Sequence, residues 1–273
     1  MRRTIIALLL CLSVISLKAQ KFSVAYFAGV ANYAGDLQSK AYTFDQAQLA
    51  GGIGLEYEIS EHFLGRADLS VGKVSGADRK SDNPVQRARN LEFTSNIEEF
   101  ALNLEYDLFS LKRYKVTPYV FAGVGVFHFN PYTSDALGDK VYLQPLGTEG
   151  EGIIKYNLTQ INIPYGGGLK FAITDNIRLG IEIGYRKLFT DYLDDVSGDY
   201  ANPATLPAGT LPYAYRGAGP YPATGSKRGN SGADDSYYFT LLTLSFRLVP
   251  VRESDFTKMQ LQEIQCPANV ILY

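Results

Sequence analysis

Strict alternation of apolar and polar residues is the strongest pattern in this chain. From Ile177 to Arg186 the odd-numbered residues are Ile, Leu, Ile, Ile and Tyr, whereas the even-numbered residues are Arg, Gly, Glu, Gly and Arg. A helix would mix these two sets on its surface, but a β-strand sends successive side chains to opposite faces. The segment is therefore predicted to be a strand with one apolar face and one polar, charged face.

The same two-residue period recurs in segments of about ten residues. It is clear in the ranges 48–59, 62–74, 99–108, 160–173 and 237–248. Two further strands are predicted at 21–31, which is apolar or small on both faces, and at 118–129, which is apolar on both faces. For 118–129 the alternation does not say which side faces outward. Eight strands are predicted in total.

The connections between the predicted strands alternate in length. Long stretches at 32–47, 75–90, 130–155 and 191–235 are separated by shorter ones at 60–61, 109–117 and 174–175. Outer-membrane barrels have this asymmetry, with short periplasmic turns and long outer loops. The sequence thus predicts an all-β fold, an eight-stranded antiparallel up-and-down transmembrane β-barrel with both termini in the periplasm.

The charged faces of the strands indicate how the barrel interior is filled. An Arg or Lys that faces lipid near the bilayer midplane costs roughly 2–4 kcal/mol, so the polar faces are predicted to point inward. An eight-stranded barrel is narrow enough for side chains to fill it. We therefore predict an interior ion-pair network in place of an open pore. Its predicted members are Glu56, Glu58, Arg66, Asp68, Glu105, Asp107, Lys170, Arg178, Glu182, Arg186 and Arg247.

Aromatic residues near the strand ends predict the two girdles that flank the apolar band of a membrane barrel. Near the short turns these residues are Tyr57, Phe63, Tyr106 and Tyr114, and near the long loops they are Phe93, Phe129, Tyr185, Phe189 and Tyr237.

The N-terminal end is typical of a secretory signal peptide. Arg2 and Arg3 precede an apolar run at 5–17 that is too short to span a bilayer as a helix. Residues 1–19 are therefore predicted to be removed on export, and with them three basic residues and no acidic residue. The remaining chain carries a net charge of about −5 and has no basic stripe, which argues against nucleic acid as a partner.

The C-terminal end departs from the strand pattern. Residues 20–249 are assigned to the barrel, and the polar segment 250–273 is predicted to be a periplasmic tail. Cys266 is the one cysteine left after signal cleavage, so it is either a free thiol or a possible contact with a partner. The tail could dock another protein or be a short disordered end.

Candidates for catalysis are few. The chain has two histidines, His62 and His128, and only His128 is predicted near the outer end of a strand. Glu92, Ser95 and Thr159 are predicted at a similar height, which gives a lipid-modifying site as a third hypothesis. No local motif supports it, and a structural histidine is the favoured interpretation.

Acidic residues cluster at the start of the longest loop, at Asp191, Asp194, Asp195 and Asp199. Their spacing is not that of a calcium-binding loop, so a solvated loop is the preferred interpretation over a calcium site. No catalytic residue, metal or cofactor is predicted.

Several segments together resemble a known family. They are Gly29–Leu37 (GVANYAGDL), Pro118–Pro131 (PYVFAGVGVFHFNP), Ile163–Lys170 (IPYGGGLK) and Tyr185–Ser197 (YRKLFTDYLDDVS). The chain resembles the PorG-like outer-membrane proteins associated with the type IX secretion system, over about residues 20–250. That resemblance implies a non-enzymatic barrel that ties the outer membrane to a periplasmic ring of PorK- and PorN-type proteins.

Two functional hypotheses follow for a barrel surrounded by the lipid bilayer. The first is a structural component of type IX secretion that contacts the periplasmic ring through its short turns and tail. The alternative is a barrel whose loops 130–155 and 191–235 do adhesive or surface-binding work unrelated to secretion.

Overall fold

The computed structural model describes residues 21–38, 43, 45–150 and 155–249. The predicted signal peptide and the tail with Cys266 lie outside the described residues. The strands are β1 (Phe22–Ala34), β2 (Gln48–Glu58), β3 (Phe63–Ala77), β4 (Glu92–Asp107), β5 (Val116–Ser134), β6 (Lys140–Tyr142), β7 (Thr159–Ala172), β8 (Ile177–Lys187) and β9 (Ser236–Arg247). The short helices are α1 (Pro84–Arg89) and α2 (Leu211–Ala214), with 3-10 turns at Asp78–Lys80 and Gln144–Leu146.

Eight of the strands close into a barrel. Each of them pairs antiparallel with its neighbour in the order β4-β3-β2-β1-β9-β8-β7-β5, and β5 pairs back onto β4. The first and last strands are joined directly, with Tyr26 opposite Leu244. The remaining strand, β6, pairs only with the end of β5. Closure leaves the barrel wall without an unpaired edge, and the predicted eight-stranded antiparallel barrel is confirmed.

Strand β8 shows which face points inward. Ile181 and Ile183 are 43% and 53% exposed on the outer surface, whereas Glu182 and Arg186 are 2% and 4% exposed inside. In a water-soluble sandwich the exposure of these two sets would be reversed, because burying apolar area drives folding in water. The outer surface of the barrel is therefore apolar, and its charged side chains point into the interior.

Strand β5 has the same arrangement, which its sequence alone left open. Val120, Val124 and Val126 are exposed on the outer surface, while Tyr119 and Phe121 are buried in the interior. The smaller β-branched residues face outward, and the aromatic rings fill the lumen.

The outward apolar residues form a continuous belt. On β4 and just beyond it, the outward positions Phe100, Leu102, Leu104, Tyr106 and Leu108 are all 40–51% exposed. Nine residues of a strand tilted by about 40° cover roughly 20 Å of height. This is close to the apolar band of about 25 Å that a transmembrane barrel presents to lipid.

The connections keep the predicted alternation of length. Short turns at 59–62, 108–115 and 173–176 lie at one end of the barrel, which we call the short-turn end. Connections at 35–47, 78–91, 135–158 and 188–235 lie at the other, the long-loop end, and their described residues are called the cap. None of the helices in the described residues has the length and apolar character needed to cross a membrane.

An apolar cluster fills much of the interior near the long-loop end. Phe27 and Tyr33 of β1, Phe127 of β5 and Phe239 of β9 pack there with Leu193 of the cap. This cluster, called the mouth core, continues from the barrel into the loops without a break. The full set is Ala25, Phe27, Ala31, Tyr33, Leu37, Val74, Leu91, Phe93, Ile97, Phe127, Phe129, Leu143, Leu188, Leu193, Val196, Tyr237, Phe239 and Leu241.

The mouth core corrects part of the predicted aromatic girdle. Phe93, Phe129 and Tyr237 are at most 2% exposed and lie inside the barrel, so their assignment to a lipid-facing girdle is wrong. Their positions along the strands are near the loops, but the two-residue period turns their rings inward. Phe189, by contrast, is 51% exposed.

Two inward glycines make room for large interior side chains. A Cβ on Gly54 would lie 2.3 Å from the Asp68 carboxylate and 2.8 Å from the Phe27 ring. A Cβ on Gly184 would lie 2.5 Å from the Arg186 guanidinium and 2.9 Å from the Phe121 ring. Both approaches are closer than van der Waals contact allows, so glycine is needed for the lumen to hold these groups.

Candidate functional site

Arg66 is the centre of the interior network at the short-turn half of the barrel. Its guanidinium donates to Glu182 at 2.6 Å, to Asp68 at 2.9 Å and to Glu105 at 3.1 Å. Three strands, β3, β4 and β8, supply these groups. A guanidinium has five N–H donors in a planar fork, which suits one cation shared among several carboxylates.

The network continues from Arg66 toward the short turns. Lys170 pairs with Glu105 and with Asp107, the latter at 3.3 Å. At the rim, Glu58 is shared by Arg178 and Arg247, whose side chains are 11% and 13% exposed. The pairs therefore grade from fully buried groups in the middle of the barrel to partly solvated groups at its end.

Aromatic groups surround the cation at the centre. The Arg66 guanidinium lies 5.2 Å from the Phe121 ring centroid and 5.5 Å from that of Phe27. The Tyr119 hydroxyl donates to Glu182 at 2.9 Å. Cation–π contacts of this kind strengthen when they are removed from water.

A second buried pair lies nearer the long-loop end. Arg186 of β8 pairs with Glu99 of β4 at 3.1 Å. Glu99 also accepts hydrogen bonds from Tyr237 and Asn162, each at 2.7 Å. The Arg186 guanidinium lies 4.2 Å from the Phe239 ring centroid, so this pair joins the charged half of the lumen to the mouth core.

The predicted network residues all lie on the inner side of the wall or at its rim. Ten of them make ion pairs, with Arg186 pairing to Glu99, a residue outside the predicted set. Glu56 instead accepts a hydrogen bond from Ser245 at 2.9 Å. Glu105 and Glu182 are 0% and 2% exposed, which leaves no room for a water-filled channel at their level.

Glu99 was missed although its sequence position carries a signal. Phe100, Leu102 and Leu104 form the apolar outer face of their strand. Because side chains alternate between the two faces, Glu99 lies on the inner face with Glu105. Its partners Asn162 and Tyr237 come from distant segments, and alternation along one strand does not pair them.

The cap is held together by buried ion pairs. Arg89 at the end of α1 donates to both oxygens of Asp78, each at 2.7 Å, and to the backbone oxygen of Asp36 at 3.1 Å. Arg228 pairs with Glu149 at 2.7 Å, with side-chain exposures of 2% and 5%. Arg89 also donates to the backbone oxygen of Arg228. Together these contacts join the connections 35–47, 78–91, 135–158 and 188–235 to one another.

The carboxylates of Glu149 and Asp195 hold the longest loop in place by accepting hydrogen bonds. Glu149 accepts from the amides of Ser197 and Gly198, both at 2.9 Å. Asp195 accepts from the Thr148 hydroxyl at 2.5 Å and from the Tyr156 hydroxyl at 2.7 Å. Asp195 has a positive φ of 66°, a strained conformation for a side-chain-bearing residue, and these bonds hold it there.

A tyrosine hydroxyl lies between two buried carboxyl groups where the longest loop meets the barrel mouth. The Tyr33 hydroxyl lies 2.5 Å from Asp194 and 3.0 Å from Asp235. A phenol carries one proton and can donate it fully to only one of the two carboxyl groups. Burial and the neighbouring acids accordingly raise the pKa of both Asp194 and Asp235 well above the usual range.

The acidic residues that the sequence singled out do not converge on a metal position. Asp194 and Asp195 are buried with the separate partners just described, whereas Asp199 is exposed. Across the described ranges, no three His, Cys, Asp or Glu side chains are grouped so that they could hold a metal ion.

Of the three residues predicted to lie near His128, only Thr159 contacts it. His128 is exposed on the outer face and shares a hydrogen bond of 2.9 Å with the Thr159 hydroxyl. Ser95 is fully buried on the inner face of the wall and donates within its own strand, so the barrel wall separates it from His128. Glu92 is six positions along β4 from Glu98, the residue that pairs with His128.

A family model described as a domain of unknown function, DUF6089, matches residues 2–213. The chain belongs to this family. The match runs from the predicted signal peptide through β8 into the longest loop and ends before β9. No curated protein matches the sequence.

Solved structures with a similar course of the chain are outer-membrane proteins. Neisserial surface protein A is 12% identical, with 84% of this chain and 97% of that chain covered and a TM-score of 0.43. OprG from Pseudomonas aeruginosa has the same values. The attachment invasion locus protein Ail of Yersinia pestis is 11% identical, with 82% and 95% covered and a TM-score of 0.38. Identities and scores this low carry no functional argument, so the barrel assignment rests on this chain's own strand pairing.

Proposed function

We propose that this DUF6089 family member is an integral β-barrel of the bacterial outer membrane with a structural, non-enzymatic role. The observation that carries the proposal is the distribution of charge across the wall. A belt of exposed apolar residues surrounds a lumen filled by ion pairs centred on Arg66. Such a molecule is suited to stay in lipid and to hold a fixed shape there, and its filled lumen is poorly suited to passing solutes.

The place we propose for this barrel is the type IX secretion system, where it would contact a periplasmic ring of PorK and PorN type. The four segments that resemble PorG-like proteins support this role. The contact would use the short-turn end, where Glu61 and Lys112 form an exposed ion pair of 3.1 Å between neighbouring turns, and the tail with Cys266.

Site-specific crosslinking in intact cells tests this role. The chain would carry Cys266→Ser with one new thiol, from Lys112→Cys at the short-turn end or Ala208→Cys in the exposed part of the longest loop as the matched control. We expect ring proteins to be captured from position 112 and not from position 208. Normal export of type IX cargo after deletion of the gene would contradict the proposal.

A second candidate function is surface binding through the cap, and the order of the cap favours it. Arg89, Arg228 and Glu149 hold the long connections in one arrangement, which gives an exposed surface a fixed shape. Deleting 202–209, a mostly exposed stretch of the longest loop, separates the two functions. Loss of ligand or host binding with intact secretion would support the surface role over the secretion role.

A further inference from the structure

The outer face of β3 and β4 changes from apolar to polar at one height. On β3 the outward residues Leu69 and Val71 are followed, toward the long-loop end, by Lys73 and Ser75. On β4 the apolar series ends at Phe100, and the outward positions beyond it are Glu98, Asn96 and Thr94. Both strands therefore continue past the lipid-facing belt and present polar groups directly above it.

A groove of about 300 Å³ opens on this polar stretch. Hydroxyl and amide groups line it, among them Ser75, Thr94 and Gln48, with the Gln48 amide donating to the Ser75 hydroxyl at 3.2 Å. Arg79 and Lys80 also line it and are exposed. Its volume is at the lower end of the range for small-molecule sites and is enough for a single sugar ring with a phosphate group.

Two cations, Arg79 and Lys80, and two carboxylates, Asp45 and Glu92, line the groove, and the Glu92 carboxylate is already occupied by guanidinium groups. Arg79 is paired with Glu92, but its side chain is 59% exposed, and a second guanidinium, that of Arg216, also donates to Glu92 at 3.3 Å. Glu92 is therefore shared by two cations, and among the described residues Lys80 donates to a backbone oxygen, that of Asp45. An exposed ion pair is weak, whereas a guanidinium binds a phosphate through two parallel hydrogen bonds.

We propose that this groove binds a phosphorylated sugar, presented by the headgroup of a glycolipid in the membrane leaflet around the long-loop end. The phosphate would lie against Arg79 and Lys80, the sugar hydroxyls against Ser75, Thr94 and Gln48, and the acyl chains along the apolar belt below. This assignment rests on the proposed membrane location, because the height of the groove above the belt is what brings a headgroup to it. A soluble sugar phosphate has the same chemistry and would approach from water.

The test measures retention of defined lipids by the full-length barrel, purified in detergent and analysed by native mass spectrometry. The probes are lipid A, the same lipid with its phosphates removed, and glucose 1-phosphate as the soluble source. The variant Arg79→Ala/Lys80→Ala removes both cations. The matched control is Lys187→Ala, which breaks an exposed ion pair of 2.7 Å with Asp234 on β8, diametrically across the barrel from β3.

We expect the wild-type chain and the Lys187→Ala control to retain lipid A at least tenfold better than the dephosphorylated lipid. We expect the double variant to lose that preference. Competition by glucose 1-phosphate at concentrations similar to those of lipid A would support the same site with a soluble source. Equal retention of both lipids by the wild type, or an unchanged preference in the double variant, would overturn the proposal.

Failure of this inference can be told apart from failure of the membrane assignment. The heat-dependent shift in gel mobility of the same preparations reports whether each chain is a closed barrel. A closed, lipid-inserted barrel without phosphate preference rejects only the groove, whereas a chain that stays in aqueous solution without detergent rejects both.

Discussion

Removing the central cation of the lumen should strongly destabilise the barrel. Arg66→Met keeps much of the side-chain length but leaves Asp68, Glu105 and Glu182 without their shared partner. Only Glu105 would retain a cation, that of Lys170. Breaking a buried ion pair by removing one member costs about 3–5 kcal/mol, because the remaining charge stays buried without compensation. For a domain of this size the loss corresponds to a decrease of roughly 6–20 °C in melting temperature.

The assay is equilibrium unfolding in guanidinium of the barrel refolded into detergent, followed by circular dichroism and by gel mobility of unheated samples. The chain has no tryptophan, so these signals replace the usual fluorescence. Arg247→Met is the matched control, because Glu58 keeps Arg178 as a second partner and the loss should stay below about 1 kcal/mol.

A second substitution tests the electrostatic reason. Glu182→Gln in the Arg66→Met background removes one of the uncompensated charges and should recover part of the loss, by about 1 kcal/mol or more. An Arg66→Met barrel that unfolds within about 0.5 kcal/mol of wild type would refute the argument that the network stabilises the lumen.

Three further predictions address the belt and the cap. Ile181→Lys should lower barrel stability by about 2–4 kcal/mol in lipid vesicles, while His128→Lys, above the belt, should change it by less than about 1 kcal/mol; equal effects would contradict the assigned lipid boundary. Arg228→Met should open the cap without opening the barrel, seen as faster hydrogen exchange and protease cleavage in 199–235, and unchanged exchange there would count against the pair with Glu149. Burial raises the pKa of Asp191 to about 7, so the folded cap holds a proton that the unfolded chain releases; cap stability should fall as pH rises from about 4 to 7, and Asp191→Asn should reduce that slope, to which Asp194 and Asp235 also contribute, in a melting series across the same window.

The alternation of side chains between the two faces of each strand was enough to predict the barrel and the inward direction of its charged side chains. Glu182 and Arg186 sit between outward isoleucines, so their orientation follows from local geometry alone. The same reasoning, applied to Tyr237 and Phe93, would have placed them inside. They were assigned to a girdle by their closeness to the loops, and that criterion ignores which face of the strand a residue occupies.

The cap could not be predicted in the same way. Tyr33 and Asp235 are separated by 202 residues, and Arg89 and the backbone of Arg228 by 139. No periodic pattern joins such pairs, because irregular loops have no fixed direction in which to project their side chains. The acidic cluster at the start of 191–235 was interpreted as a solvated loop, but Leu193 and Val196 beside it are at most 1% exposed in the mouth core.

The continuity of the mouth core sets an order of events during assembly. Leu188, Leu193 and Val196 of the longest loop are buried in a cluster that also contains side chains of β1, β3, β4, β5 and β9, strands from the beginning, middle and end of the chain. The apolar side chains of this loop are therefore buried only once those strands have come together. Pairing β1 with β9 completes the barrel wall and the buried core of the cap in one step, so any factor that delays closure also leaves the cap unfinished.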